Sequence, residues 1–253
     1  MQRILTMSVI VLVLAFVCPL AYAEDTSDTK AWDFQLAPFY LWAVNMDGDV
    51  TVKTTTTPLK MDFGEIFDNL EGLFTAHFEA WHKKKWGLLV DVSYINIGGQ
   101  QVTPIATLDV DFQTVMTELG GFYRFRKGPH ALEGLAGIRY TSLDVEVDML
   151  GLPPKLEESQ DWLDPIIGAR YRWTMAEKWS LSVRGDIGGF GIGDASDFTW
   201  NLAALIHYQP WKHVALVGGY RVLDVDYETG SGPSKFAYDV QMQGPILGVS
   251  IVW

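Results

Sequence analysis

The sequence Gly-Pro-Ile-Leu-Gly-Val-Ser-Ile-Val-Trp, at residues 244–253, decides the fold of this chain. Counting back by twos from Trp253, the residues Ile251, Val249 and Leu247 form one apolar face, while the opposite face is smaller and mixed. A period of two residues is that of a β-strand. A strand of this kind that ends on an aromatic residue is typical of bacterial outer-membrane β-barrels, whose outward face meets lipid.

The N-terminal segment predicts export from the cytoplasm. Arg3 precedes an almost wholly apolar run at residues 4–20, and Ala-Tyr-Ala at residues 21–23 offers a small-x-small cleavage site. A membrane-anchoring helix is the weaker alternative, because the run falls short of the ~20 apolar residues that a span needs. We therefore predict a cleaved signal peptide at residues 1–23 and a mature barrel domain at residues 24–253.

The amino-acid composition excludes several classes of function. The formal net charge of −12, from 31 acidic and 19 basic residues, argues against nucleic-acid binding, because that function needs a basic face. Cys18 lies in the predicted signal peptide and is the only cysteine, so we expect no disulfide and no thiolate chemistry in the mature chain. The 10 Trp, 10 Tyr and 24 Gly suit a barrel, which uses aromatic residues at the membrane interfaces.

The spacing of polar junctions predicts the number of strands. Four short junctions read as tight hairpin turns, at residues 82–85, 126–130, 175–178 and 209–212. Longer connections lie between them, at about residues 45–72, 98–106, 148–160, 190–197 and 228–236. Four hairpins give eight strands, and a first and a last strand bring the total to ten, with eight or twelve if one junction is misread. We therefore predict an all-β, transmembrane, antiparallel up-and-down barrel of about ten strands.

Aromatic residues cluster at both ends of the predicted strands, as expected for two membrane interfaces. The predicted short-turn group is Trp32, Phe34, Trp81, Trp86, Tyr123, Phe125, Trp173, Trp179, Tyr208, Trp211 and Trp253. The predicted opposite group is Tyr40, Trp42, Tyr94, Tyr140, Trp200, Tyr220 and Tyr238. A soluble β-sandwich is the alternative, but it gives no reason for Trp to recur at one end of most hairpins.

Charge is also divided between the two ends. The short turns are rich in Lys and Arg, whereas the long connections and adjoining strand ends are rich in Asp and Glu. Solubility of the loops accounts for this pattern. A more specific alternative is that the acidic loops bind divalent cations among the phosphates of the outer leaflet. The expected partners are outer-membrane lipid, lipopolysaccharide and the barrel-assembly machinery, the last through the C-terminal strand that ends in Trp253.

The two-residue period also predicts which side chains face the lumen. The inward set is nearly balanced in charge and comprises Glu79, Asp91, Glu118, Glu133, Asp164, Asp186, Arg139, Arg170, Arg172, Arg184 and Arg221. Arginine suits bidentate pairing with carboxylates in a confined space, and a barrel of about eight strands is wide enough only for its own side chains. We therefore predict a salt-bridged, largely plugged lumen. A narrow channel for ions or small solutes is the alternative.

Catalysis finds little support in the sequence. Asp109 and Asp111, and likewise Asp224 and Asp226, are paired carboxylates, but no histidine lies beside either pair. The Gly-x-Ser-x-Gly pattern of a hydrolase nucleophile is absent from the sequence. We predict no catalytic residue, no metal site and no cofactor, and we interpret these acidic pairs as strand ends that emerge from the membrane. An outer-membrane hydrolase, omptin-like or lipid-modifying, is the weaker alternative.

The first long connection is the most distinctive loop. Residues 50–57 are β-prone and predict a short extended stretch above the membrane. Phe63, Ile66, Phe67 and Leu70 share one helical face, so a short helix is predicted there. It would cap or constrict the barrel mouth, or pack as an ordinary loop helix.

Several of these stretches together resemble small outer-membrane barrel proteins of Gram-negative bacteria. The resemblance is carried by Trp-x-Phe-x-Leu-Ala-Pro-Phe-Tyr-Leu-Trp-Ala at residues 32–43, Gly-Asp-Val-Thr-Val at residues 48–52, the helical stretch at residues 63–70, and the hairpin from Glu-Ala-Trp at residues 79–81 to Trp-Gly at residues 86–87. It covers the first third of the chain most clearly. It implies an outer-membrane location, but it carries no known chemistry, and no catalytic residue is transferred.

Overall fold

The computed structural model describes residues 31–102, 107–126, 128–149 and 156–253. The predicted signal peptide therefore lies outside the described residues. The described chain consists almost wholly of strands, with one short helix, α1, at Phe63–Asp68 and one 3-10 turn at Gly232–Ser234. The strands are β1 Trp32–Trp42, β2 Asn45–Val52, β3 Thr55–Met61, β4 Leu70–His82, β5 Trp86–Val102, β6 Thr107–Arg126, β7 His130–Met149, β8 Leu156–Ala176, β9 Trp179–Gly189, β10 Phe198–Trp211, β11 Val214–Thr229 and β12 Phe236–Val252.

The strands form a closed antiparallel barrel of ten strands, as predicted. The order is β1, then β4 to β12 in sequence, and the pairing of β1 with β12 closes the ring. The remaining two strands, β2 and β3, form a hairpin that pairs with the first half of β12 and lies outside the ring. The four tight turns predicted from sequence connect β4 to β5, β6 to β7, β8 to β9 and β10 to β11. We call this the short-turn end and the opposite end the long-loop end.

The outer face of the wall changes character along each strand, and β11 shows the change clearly. Its outward residues near the short-turn end are apolar, with Leu216 and Tyr220 exposed. Further along the same face come Asp224 and Asp226. Because a lipid-facing charge costs roughly 2–4 kcal/mol near the bilayer midplane, the apolar belt ends at about Val222, and the strand continues beyond the membrane.

The inner face changes in the opposite sense, which sequence reasoning did not anticipate. Above the belt, the inside is filled by apolar side chains, and Trp162 stacks on Tyr227 with ring centroids 4.3 Å apart. We call this the apolar layer. Its fully buried members include Leu223 and Val240. The extended part of the barrel therefore resembles a soluble protein, with charge outside and a hydrophobic core inside.

The apolar layer overturns part of the predicted aromatic girdle. Tyr140 and Tyr220 are exposed as predicted, but Tyr238 is buried because it lies above the belt on the inner face. Trp81 is also buried. It shares its face with the inward residue Glu79, so the two-residue period itself places it in the lumen.

A β-bulge in β1 explains why two further girdle residues were wrongly predicted. The register of β1 against β12 shifts between Leu36 and Phe39, around Pro38. One inserted residue moves every following side chain to the other face. Phe39 consequently points outward, while Tyr40 and Trp42 are buried inside.

The same bulge interrupts the wall between β1 and β4. Their ladder runs only from the Trp32–His82 pair to the Ala37–His77 pair. Beyond it, the Thr75 side chain replaces the ladder: its hydroxyl accepts from the Tyr40 amide, with Oγ1 3.3 Å from the nitrogen, and donates to the Tyr40 carbonyl. A buried side chain thus satisfies backbone groups that lipid could not hydrate.

Helix α1 forms where it was predicted. Asp62 and Glu65 make a capping box, and the Asn45 side chain accepts from the Phe63 amide at 2.8 Å. Ile66 is buried in the apolar layer, whereas Phe67 is 60% exposed. The predicted apolar face therefore reaches the barrel interior mainly through Ile66. In the part of the chain that the structure describes, no helix is long and apolar enough to span a bilayer.

The substitution Thr75→Val should destabilise the barrel by about 1–3 kcal/mol, because it leaves buried backbone groups of Tyr40 without a partner. Urea unfolding in micelles measures the free energy, and hydrogen exchange of the Tyr40 amide should accelerate. Thr141→Val is the matched control, since the buried Thr141 hydroxyl has no partner among the described residues. Equal effects of the two substitutions would refute the bridging role of Thr75.

Candidate functional site

The lumen below the apolar layer contains a network of buried charges, and Arg139 lies at the centre of its first group. The Nη2 of Arg139 is 2.7 Å from Asp186 Oδ1 and 3.2 Å from Glu118 Oε2. Arg184 bridges the same two carboxylates, with its Nε 2.8 Å from Asp186 Oδ2 and its Nη2 on Glu118 Oε1. Asn201 donates to Asp186 at 2.8 Å. Two arginines and two acids from β6, β7 and β9 are thereby joined.

A second group joins β4, β6, β7 and β8 through two shared carboxylates. Glu133 is fully buried and receives Arg170 Nε at 2.6 Å and Arg124 Nε at 2.8 Å. Glu79 receives Arg172 Nη2 at 2.6 Å and also Arg170 Nη1. The contact between Arg170 and Glu79 crosses the lumen from β8 to β4, so it braces the cylinder between strands that are not neighbours.

His77 lies between two carboxylates, in an arrangement that fixes its protonation. Its Nδ1 is 3.0 Å from Asp91 Oδ2, and its Nε2 is 3.0 Å from Glu79 Oε1. Ionised carboxylates only accept hydrogen bonds, so both ring nitrogens have to donate, which requires the imidazolium form. The ring of Tyr40 stacks on His77, with centroids 6.0 Å apart.

Arg221 differs from the other lumenal arginines. Its Nε donates to Asn201 Oδ1 at 2.8 Å, and its guanidinium carbon lies 4.8 Å from the Trp42 ring centroid. Among the described residues, no carboxylate lies within ion-pair distance of it. Arg221 is therefore a lumenal cation that makes no direct ion pair with a described residue and interacts with Glu118 only at longer range.

All ten residues of the predicted lumen network lie on the inner face, and nine of them, all except Arg221, take part in the two groups or in the His77 pair. Asp164, also predicted to face inward, has a different set of partners. It accepts from the Ser196 amide and hydroxyl at 2.8 and 2.7 Å and from Trp162 Nε1 at 3.1 Å. It thus anchors the connection between β9 and β10 rather than an arginine. Sequence reasoning missed Arg124, although it shares the inward parity of Glu118.

A cavity of about 700 Å³, in part continuous with solvent, lies beside this network. Its ionic lining includes Asp91, Glu118 and Arg184. Small and apolar side chains on β10 and β11, including Ala203 and Val217, also line it. The network therefore leaves some space in the lumen, and the lining of that space is mixed.

The acidic pairs considered for catalysis lie elsewhere. Asp224 and Asp226 are on the outer face above the belt. Burial and the neighbouring carboxylate of Asp239, together with other nearby acids, raise the pKa of Asp226. Asp111 is exposed, and the side chain of Asp109 lies outside the described residues. The five histidines lie in the lumen or at the short-turn end. No group of three or more His, Cys, Asp or Glu side chains able to hold a metal occurs among the described residues.

Comparison with known proteins shows which class of proteins shares this fold. No protein-family model matches the chain, and no curated protein matches its sequence. The chain is similar to the outer membrane protease OmpT from Escherichia coli, with a TM-score of 0.61, 8% identity, and coverage of 90% of this chain and 100% of that one. It also matches the transport unit of the autotransporter AIDA-I from Escherichia coli, with a TM-score of 0.45, 10% identity, and coverage of 91% and 93%. At such identities the likeness concerns the fold, which is that of Gram-negative outer-membrane β-barrels.

The substitution Arg139→Met should destabilise the barrel by about 3–5 kcal/mol, because it leaves two buried carboxylates without a shared cation. Urea unfolding in micelles measures the loss. Adding Glu118→Gln should recover part of it, since one of the uncompensated charges is removed. Arg126→Met, at an exposed position near a short turn, should change stability by no more than about 0.5 kcal/mol. A small effect of Arg139→Met, similar to that of the control, would contradict this account of the network.

Proposed function

We propose that this protein is a non-enzymatic outer-membrane barrel whose lumen is closed to through-passage, and that it acts as a structural or surface-interaction protein. The observation that carries the proposal is the apolar layer. Leu223 and Val240 are each 0% exposed although they face the inside of the barrel. Apolar side chains packed across the cylinder would leave no aqueous path from one end to the other.

The ionic network, on the short-turn side of the apolar layer, supports the same proposal. Its arginines bridge strands that are not neighbours in the sheet, and two of them also lie against aromatic rings. The guanidinium carbon is 4.7 Å from the Phe122 ring centroid for Arg170 and 5.1 Å from that of Trp81 for Arg172. Arginines fixed in this way brace a narrow cylinder and are poorly suited to conducting ions through the lumen. The cavity is the feature that favours the narrow-channel alternative, which needs the apolar layer to open.

The proposed setting is the outer membrane of a Gram-negative bacterium, reached through a signal peptide cleaved after residue 23. The apolar belt supports it, and so does the fold. The terminal Trp253 exchanges backbone hydrogen bonds with Phe34, at 2.9 and 3.1 Å, and thereby closes the ring at the short-turn end. Recognition of this strand by the assembly machinery, and contact of the acidic long-loop surface with lipopolysaccharide, belong to the proposal.

The absence of catalysis is likewise proposed from the placement of side chains. Asp224 and Asp226 lie on β11 and face outward above the belt. His77 on β4 and His207 on β10 face the lumen, so the wall of the barrel separates them from these two aspartates. An acid–base pair has to converge on one reacting atom, within hydrogen-bond reach. The proteolytic activity in the name of OmpT is a property of that protein, and fold similarity alone does not transfer it.

Planar-bilayer recording tests the closed lumen. Purified wild-type protein should show no stable unitary conductance steps, because the apolar layer has no polar path for ions. Arg184→Ala should also remain silent, since it enlarges the space only below that layer. Steps in the wild type that change in size with Arg184→Ala would overturn the proposal and favour the channel.

A further inference from the structure

We propose that the lumenal cavity is a binding site for a small organic carboxylate, a monoanion with a short aliphatic chain, and that Arg221 is its principal contact. This inference goes beyond the closed barrel, because a dead-end pocket is compatible with a lumen that does not conduct. It rests on the charge balance inside the barrel, the fixed geometry of Arg221 and the mixed polar and apolar lining of the cavity.

The charge balance leaves a positive excess inside the barrel. The described lumen contains six guanidinium groups and six carboxylates, those of Arg124, Arg139, Arg170, Arg172, Arg184 and Arg221 and those of Glu79, Asp91, Glu118, Glu133, Asp164 and Asp186. The imidazolium of His77 therefore supplies the excess of one positive charge. Each carboxylate except Asp164, which is held by Ser196 and Trp162, already has a cationic partner at 3.4 Å or less. An uncompensated ion in a low-dielectric interior is costly, so an anion is the expected complement.

Arg221 is positioned to receive that anion. Its single hydrogen bond to a described residue uses Nε, so both Nη groups are without a protein partner in the described chain. Trp42 covers one face of the guanidinium, and Asn201, itself fixed by its bond to Asp186, holds the other side of the group. A planar fork with free Nη donors matches the two oxygens of a carboxylate.

The lining of the cavity indicates what the anion carries. Ala203 lies between Arg184 and Arg221 in the sheet, and Leu205 and Val217 also line the cavity, so an aliphatic chain held by Arg221 would be covered by these side chains. Glu118 and Asp91 also face the cavity, and these carboxylates disfavour a dianion such as phosphate. A short monocarboxylate satisfies both conditions.

Access is from the short-turn end. The residues above the cavity, such as Leu223 and Val240, have no exposed surface. By contrast, the side chains of Arg172 and His77, in the lower part, remain 22% and 19% exposed. In the proposed orientation, the pocket would therefore receive its ligand from the periplasm.

Titration calorimetry with butyrate, on the full barrel in micelles, tests the site. Wild-type protein should bind butyrate saturably, and Arg221→Gln should weaken binding by about tenfold or more, as expected for the loss of a charge-assisted contact. Ala203→Leu should also abolish binding, because it fills the cavity without changing any charge. The matched controls are Ala204→Leu, whose side chain faces lipid on the same strand, and Arg126→Gln near a turn. Both controls should bind as the wild type does.

Circular dichroism and heat-dependent electrophoretic mobility establish that each variant is folded, and Ala203→Leu provides a second route if Arg221→Gln does not fold. Three results would overturn the proposal: no saturable butyrate binding by the wild type, unchanged binding by both Arg221→Gln and Ala203→Leu, or tighter binding of phosphate or chloride than of butyrate. A conducting wild type would refute the closed lumen and leave this site standing if Arg221→Gln still lost butyrate.

Discussion

The structure depends on one constraint: the wall is a single sheet, so each strand has to satisfy the surroundings on both of its faces at once. Where the outside is lipid, polar side chains can only point inward. Where the strands leave the membrane, the outside becomes water, and apolar side chains take the inside. On β11 the change occurs within a few residues, between the inward Arg221 and Leu223 and between the outward Val222 and Asp224. The ionic network and the apolar layer are thus two consequences of one rule applied in two solvents.

The ionic network follows from confinement. Ten strands leave room for little more than their own side chains, so charges placed in this lumen cannot retain full hydration. Glu133 and Asp186 each accept from more than one donor, and Arg139 contacts two acids. Such shared contacts raise the number of hydrogen bonds per buried charge, which is what makes burial of ions tolerable. They also join β4 to β8, which are not neighbours in the sheet, and this stiffens a cylinder that otherwise has only its ladder.

The periodicity of the sequence predicts much of this arrangement, and its failures are local. The hairpins, the ten strands, helix α1 and the inward parity of Arg139 or Glu118 follow from turn residues and a period of two. The bulge at Pro38 does not, because one inserted residue reverses the faces of Tyr40 and Trp42 without any change in composition. The apolar layer was missed because the lipid rule was applied along whole strands, although the acidic outer residues Asp224 and Asp226 mark where it ceases to hold. Which donor meets which acid is decided by side chains that are distant in sequence, as with Ser196 and Asp164.

The boundary between the ionic network and the apolar layer is the part of the lumen where a binding function, beyond mechanical support of the barrel, can arise. Below it, charges are paired; above it, the interior is dry. Arg221 lies at the boundary, against the ring of Trp42 on the bulged strand. An arginine deep in the network contacts carboxylates on several sides, whereas Arg221 has apolar side chains on its long-loop side and makes no direct ion pair with a described residue. A closed ceiling and an incompletely neutralised cation beneath it are therefore produced by the same change of solvent, and together they define a pocket rather than a pore.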